Sequence, residues 1–175
     1  QVDHITHLRW SYQFQKALTE GWLVPRWAFA SHQGLGDPTF LYYSPLLYYL
    51  TSLFRALGFS PERALLAASW FPYLLLGIVS AICFRHVART WIGITAGMLV
   101  LSCPALFFLS THYGALPWVL AAPFVLSFAI VSVKDDPNPL IVSVTYALIC
   151  LSHILSSFMI LLMVGGARLT LGRAA

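Results

Sequence analysis

Residues 40–58 read "FLYYSPLLYYLTSLFRALG", and how this stretch lies against a bilayer decides the architecture of the whole chain. Its Leu and Phe content suits a membrane-crossing helix. Its four tyrosines, Tyr42, Tyr43, Tyr48 and Tyr49, and the cation Arg55 do not. Tyrosine carries an apolar ring with a polar tip and collects where water meets hydrocarbon. The stretch is therefore expected along the interface, as an amphipathic or re-entrant helix. The competing expectation is a true span.

Composition requires a bilayer in either case. Of 175 residues, 59% are hydrophobic and 9% charged, whereas a soluble domain carries about a quarter charged residues. Too little polarity is available to cover a surface in water. Residues 64–84, 91–109, 116–133 and 140–164 are each apolar enough to cross about 30 Å of hydrocarbon. Lipid cannot satisfy backbone polar groups, so these runs are expected to be helices. The expected fold is all-α: a polytopic transmembrane bundle of four helices (64–165), preceded by an outer loop (1–63) with interfacial helices. A polar tail (166–175) closes the chain. Pro72, Pro104, Pro117 and Pro123 would start or kink helices whose neighbours cover the freed carbonyls.

The net charge of +4 sits in short loops, where membrane topology accounts for it, and implies no nucleic acid. If residues 40–58 lie on the surface, Arg85, Arg89 and Lys134 share the cytoplasmic side, with Arg168 and Arg173 outside. Cys83, Cys103 and Cys150 fall in apolar runs without metal-site spacing and read as small hydrophobes. The chain opens on Gln1 rather than Met, without a signal peptide, and is expected to be an internal piece of a longer protein.

Polarity concentrates near the amino terminus, in "DHITHLR" (residues 3–9). On a helix, Asp3 and His7 lie four apart and His4 and His7 three apart, so they share a face. A carboxylate and an imidazole converging in this way can hold a divalent cation or take a proton. The same pattern also fits a plain amphipathic helix with a wet face. Downstream, "EGWLVPRW" (residues 20–27) sets Arg26 between Pro25 and Trp27, where a guanidinium can grip a phosphate or an anionic headgroup. "GLGDP" (residues 34–38) is a turn cluster.

Together with residues 40–58, these motifs resemble the first outer loop of bacterial polytopic membrane proteins of GT-C glycosyltransferase architecture. These are the proteins often labelled as related to pyruvoyl-tetrahydropterin synthase. The layout is also similar to that of the oligosaccharyltransferase catalytic subunit. "CPALFFLSTHYGALPWVLAAPFVL" (residues 103–126) resembles the family's second outer loop, and "LICLSHILSSFMILL" (residues 148–162) its Ser-His helix. The resemblance implies a transmembrane helix ahead of Gln1 and a location in the bacterial inner membrane, with residues 1–63 outside. It also implies transfer of a sugar from a polyprenyl-phosphate-linked donor. It makes Asp3 and His7 the catalytic residues and Arg9 and Arg26 the phosphate-binding ones. A divalent metal would be held by Asp3 and His7, with His112 as a further ligand. Relatives carry an Arg-Gly and an acid in the second outer loop. Residues 111–118 here, "THYGALPW", keep Gly114 but hold neither Arg nor acid. His112 suits transition metals better than Mg²⁺ or Ca²⁺, which prefer oxygen ligands.

His153 is an ionisable group inside an expected span, a functional candidate by default. Its bland role is a hydrogen bond to Ser152, Ser156 or Ser157. Asp135 and Asp136 read as a turn before Pro137 and Pro139. Two functions are expected on these grounds: the glycosyltransferase acting on membrane lipid, and a silent GT-C-derived subunit packed against other membrane proteins. A transporter is a third, weaker option.

Overall fold

The computed structural model describes residues 2–87, 90–105, 108, 115–132 and 136–171, with residues 2, 3, 86, 87, 90, 168, 170 and 171 described by backbone alone. The described elements are helical, apart from one backbone bridge between Ala28 and Asp37. Helix α1 (Val2–Thr19) turns His7, Ser11 and Phe14 inward, a stripe at helical spacing. It stops because Gly21 adopts φ +94°, and the amides of Gly21 and Trp22 close back on the carbonyls of Leu18 and Ala17, each at 3.0 Å. The next loop is closed by Ala28 and Asp37, which exchange backbone hydrogen bonds of 2.8 and 3.2 Å.

Residues 40–58 form the short helices α2 (Thr39–Tyr42) and α3 (Leu46–Ala56). Pro45 disfavours a helical residue before it, and Tyr43 is extended at φ −96°, ψ 128°. Helix α3, with eleven residues, covers only about 17 Å, short of the about 30 Å of a hydrocarbon core. It lays Leu47, Tyr48, Thr51 and Ser52 inward.

Helix α4 (Pro61–Val87) is the longest at 27 residues, about 40 Å. Pro61 and Glu62 suit its first turn, and the Ser60 carbonyl accepts from Ala64 N–H at 2.8 Å. Through residue 85 it is long and apolar enough to cross a membrane. Helix α5 (Thr90–Leu101) packs along it at very close range. A Cβ on Gly93 would come within 2.6 Å of the Ala81 carbonyl oxygen, and one on Gly97 within 2.7 Å of the Gly77 carbonyl oxygen. Helices α6 (Leu116–Ser132), α7 (Pro139–Ser152) and α8 (Ile154–Leu171) complete the chain.

Two expected helices are interrupted. The segment 91–109 leaves the helix after Leu101, ahead of Pro104, a position the proline ring disfavours for helix. The segment 140–164 breaks at His153, which is extended at φ −160°, ψ 109°. The apolar lengths of α5, α6, α7 and α8 are consequently shorter than that of α4. His112, Arg89, Lys134, Asp135 and Arg173 lie outside the described residues.

One buried cluster joins Phe14, Phe40, Leu47 and Tyr48 to Leu65 and Ala68 of α4 and to Leu116 and Leu120 of α6. The amino-terminal unit thus shares its core with the first turns of two longer helices. A second cluster, Phe128, Ile149 and Ile160, joins α6, α7 and α8. Outward faces stay apolar: Leu66, Trp70, Leu74, Ile78 and Ile82 line an exposed stripe of α4.

Candidate functional site

His7 points into the amino-terminal unit. The residue is 2% exposed, and Nδ1 lies 3.1 Å from the Tyr48 hydroxyl. Trp10 and Tyr43 meet its ring edge-on, with ring centroids 5.8 and 5.9 Å away. Burial, and then the nearby Tyr43 hydroxyl, push the Tyr48 phenol well above its ordinary pKa. Tyr48 therefore stays neutral in any physiological buffer. The backbone carbonyl of His7 accepts from Ser11 Oγ at 2.7 Å. This imidazole is gripped on one nitrogen and shut away from solvent, which suits positioning better than open ligation.

Beside it, the first turns of α1 and the start of α4 enclose a cleft of about 440 Å³. His4, Ile5 and Leu8 form one wall; Glu62, Leu65, Leu66, Ser69, Trp70 and Tyr73 form the other, with Leu116 between them. From Glu62 to Tyr73 the cleft runs along eleven residues of α4, about 16 Å of helix. It is long, narrow and mostly apolar, with His4 and Glu62 as charged or chargeable groups on opposite walls. Asp3 precedes His4 in the same turn of α1; its side chain lies outside the described residues.

Arg9 is exposed on α1, and Arg26 is exposed on the loop after it. Arg26 lines a different cavity of about 520 Å³ with Ala17, Glu20, Trp22, Trp27 and Phe29, at the other end of α1. Ten residues separate His7 from Ala17, about 15 Å along the helix. The structure thus sets Asp3, His4 and His7 together in the first two turns of α1 and leaves Arg26 apart.

No three His, Cys, Asp or Glu side chains converge among the described residues. Of the three ligands implied for a divalent metal, only His7 has a described side chain, and its Nδ1 is hydrogen-bonded to Tyr48; the Asp3 side chain and His112 lie outside the described residues.

Two groups escaped the sequence reading. Glu62, which lines the cleft with His4, stands in none of the sequence motifs. In the turn cluster, Asp37 accepts from the Thr39 amide at 2.8 Å and from the Thr39 hydroxyl, and its other oxygen lies 3.0 Å from His32 Nδ1. The Asp-Pro-Thr run signals that local turn; the His32 partner carries no sequence signal. His153 Nδ1 lies 2.8 Å from Ser156 Oγ and accepts from the Ser156 amide at 3.3 Å, so its bland role is realised, as a cap on α8. Compared with protein families, with curated proteins and with solved structures, the chain matches none.

Proposed function

We propose that this chain is a membrane-embedded, GT-C-like glycosyltransferase that takes a polyprenyl-phosphate-linked sugar at the outer face of a bacterial inner membrane. The observation that carries the reading is the cleft between α1 and α4. Its apolar length suits an isoprenoid chain, and it opens beside the turn that bears Asp3 and His4. Membrane residence is supported by the exposed apolar faces of α4, α5, α7 and α8. In water such area would drive association; against lipid it carries no penalty.

In the proposed reaction the bond from the sugar's anomeric carbon to the phosphate oxygen breaks. A bond to the acceptor oxygen forms, and Asp3 takes the acceptor's proton. Arg9, exposed on the same helix, offsets the charge left on the departing phosphate. His7 is a positioning residue, fixed by Tyr48. In proteoliposomes of the full-length protein, Asp3→Asn is expected to abolish release of polyprenyl phosphate from the lipid-linked sugar while leaving helical circular dichroism unchanged. Retained release would remove Asp3 from the mechanism.

One observation favours the second reading, a GT-C-derived subunit without transfer activity. The imidazole assigned to chemistry is buried and engaged, and residues 111–118 lack the relatives' acid. That reading predicts stoichiometric copurification with partner membrane proteins after detergent extraction. Recovery as a solitary, active protein contradicts it.

A further inference from the structure

The turn that closes α1 is apolar, outward-facing and tied in place. Trp22, Leu23 and Val24 are 67, 78 and 64% exposed, though each could lower its free energy by folding onto the nearby apolar core. The backbone that carries them is held by hydrogen bonds. The Tyr49 hydroxyl donates to the Leu23 carbonyl at 2.6 Å, and the Trp22 amide donates to the Ala17 carbonyl at 3.0 Å. Trp27, 52% exposed, lies across Gly36, where any Cβ would overlap its indole. A turn that holds its apolar side chains outward is built to meet an apolar phase.

Position and charge identify that phase. The amino-terminal unit packs on the first turns of α4 and α6 through Leu65, Ala68, Leu116 and Leu120. If those helices cross a bilayer, the unit lies at its boundary. Tryptophan prefers that depth. Arg26 sits just past the tip and is exposed, while nearby Lys16 faces Glu20 at 3.9 Å. An exposed guanidinium beside apolar residues matches anionic headgroups over acyl chains.

We propose that residues 21–27 are a bilayer anchor: Trp22, Leu23 and Val24 enter the headgroup–acyl boundary, and Arg26 meets lipid phosphate. The anchor would hold the amino-terminal unit, and the cleft with it, flat on the membrane. The proposal rests on the membrane residence of the proposed enzyme, and its test separates the two.

Spin labels are placed at Leu23→Cys and, singly, at Leu74→Cys on the exposed stripe of α4, in the full chain with its native cysteines replaced by serine. The protein is reconstituted in phosphatidylcholine vesicles with or without phosphatidylglycerol. Relaxation by oxygen, which partitions into lipid, is compared with relaxation by a water-soluble nickel chelate. Both labels are expected to be open to oxygen and closed to nickel. The Leu23 label should sit deeper when phosphatidylglycerol is present, a difference that Arg26→Gln abolishes. A nickel-accessible Leu23 label beside a lipid-bound Leu74 label overturns the anchor and leaves membrane residence standing. Nickel access at both sites overturns residence and anchor together. A Leu23 label shielded from both agents reveals a protein cover and overturns the anchor. No dependence on phosphatidylglycerol, or one that survives Arg26→Gln, overturns the role of Arg26.

Discussion

Tyr48 is a residue whose chemistry was legible in the sequence and whose packing was not. Its ring and hydroxyl suggested the water–lipid boundary, yet it is fully buried against Phe14 and Phe40. Its hydroxyl is spent on His7. The tyrosines and Arg55 marked residues 40–58 as interfacial but could not say that the buried face of α3 would meet α1. Tyr48→Phe removes a hydrogen bond from a buried imidazole and should cost about 1 kcal/mol, read as a lower Tm in detergent. The pH dependence has a definite sign. Unfolded Tyr48 ionises near pH 10, and the folded phenol ionises higher. Its contribution is therefore fully present below about pH 10 and is lost as pH rises towards the folded value. Alkaline scans should show stability falling through that window, with a shallower fall in Tyr48→Phe; identical slopes would contradict the buried, neutral phenol. Gly36 makes a separate test. At φ +74° and against Trp27, alanine should cost about 1–2 kcal/mol from backbone strain alone, with faster proteolysis of residues 28–37 and no loss of helix.

Among the elements, the tightest pairing is α4 with α5, where small residues let the backbones approach. Such seams are characteristic of helices packed in lipid. Gly97→Val drives a side chain into α4 and should destabilise by about 1–3 kcal/mol, seen as a lower Tm. Gly165→Ala meets nothing within 4 Å and should be neutral or slightly stabilising, because alanine favours helix. Equal effects at the two sites would remove the seam. The break between α7 and α8 was not legible. An unbroken apolar run hides an interruption when the cap is an imidazole rather than the usual Ser, Thr, Asp or Asn. The break ahead of Pro45 follows from proline's geometry, although residues 40–58 were expected to form one helix. His153→Leu should uncap α8 at a cost of about 1 kcal/mol, with faster hydrogen exchange at the Ser156 amide; unchanged exchange would contradict the cap.

For the whole molecule, the all-helical fold was legible from composition, because 59% hydrophobic residues led to the expectation of a lipid setting in which backbone groups must pair within helices. The cleft was not, since its walls come from residues nearly sixty positions apart. Asp3, His4 and His7 could be set on one helix by spacing, while Glu62 and Trp70 join them only through the packing of α1 on α4. Arg26 failed to join for the same reason: nearness in sequence placed it in the motif, and the length of α1 carries it to the opposite end. On the proposed reading the cleft holds an isoprenoid chain. This occupancy is tested most directly by photo-crosslinking the full-length protein, in membranes, with a polyprenyl phosphate bearing a diazirine along its chain. An isoprenoid in the cleft predicts adducts on Ile5, Leu8 and Leu65, which line it and lie off the outward stripe, suppressed by excess unlabelled polyprenyl phosphate and retained in Asp3→Asn. Adducts spread over the outward stripe of α4 without competition, and none in the cleft, would contradict it.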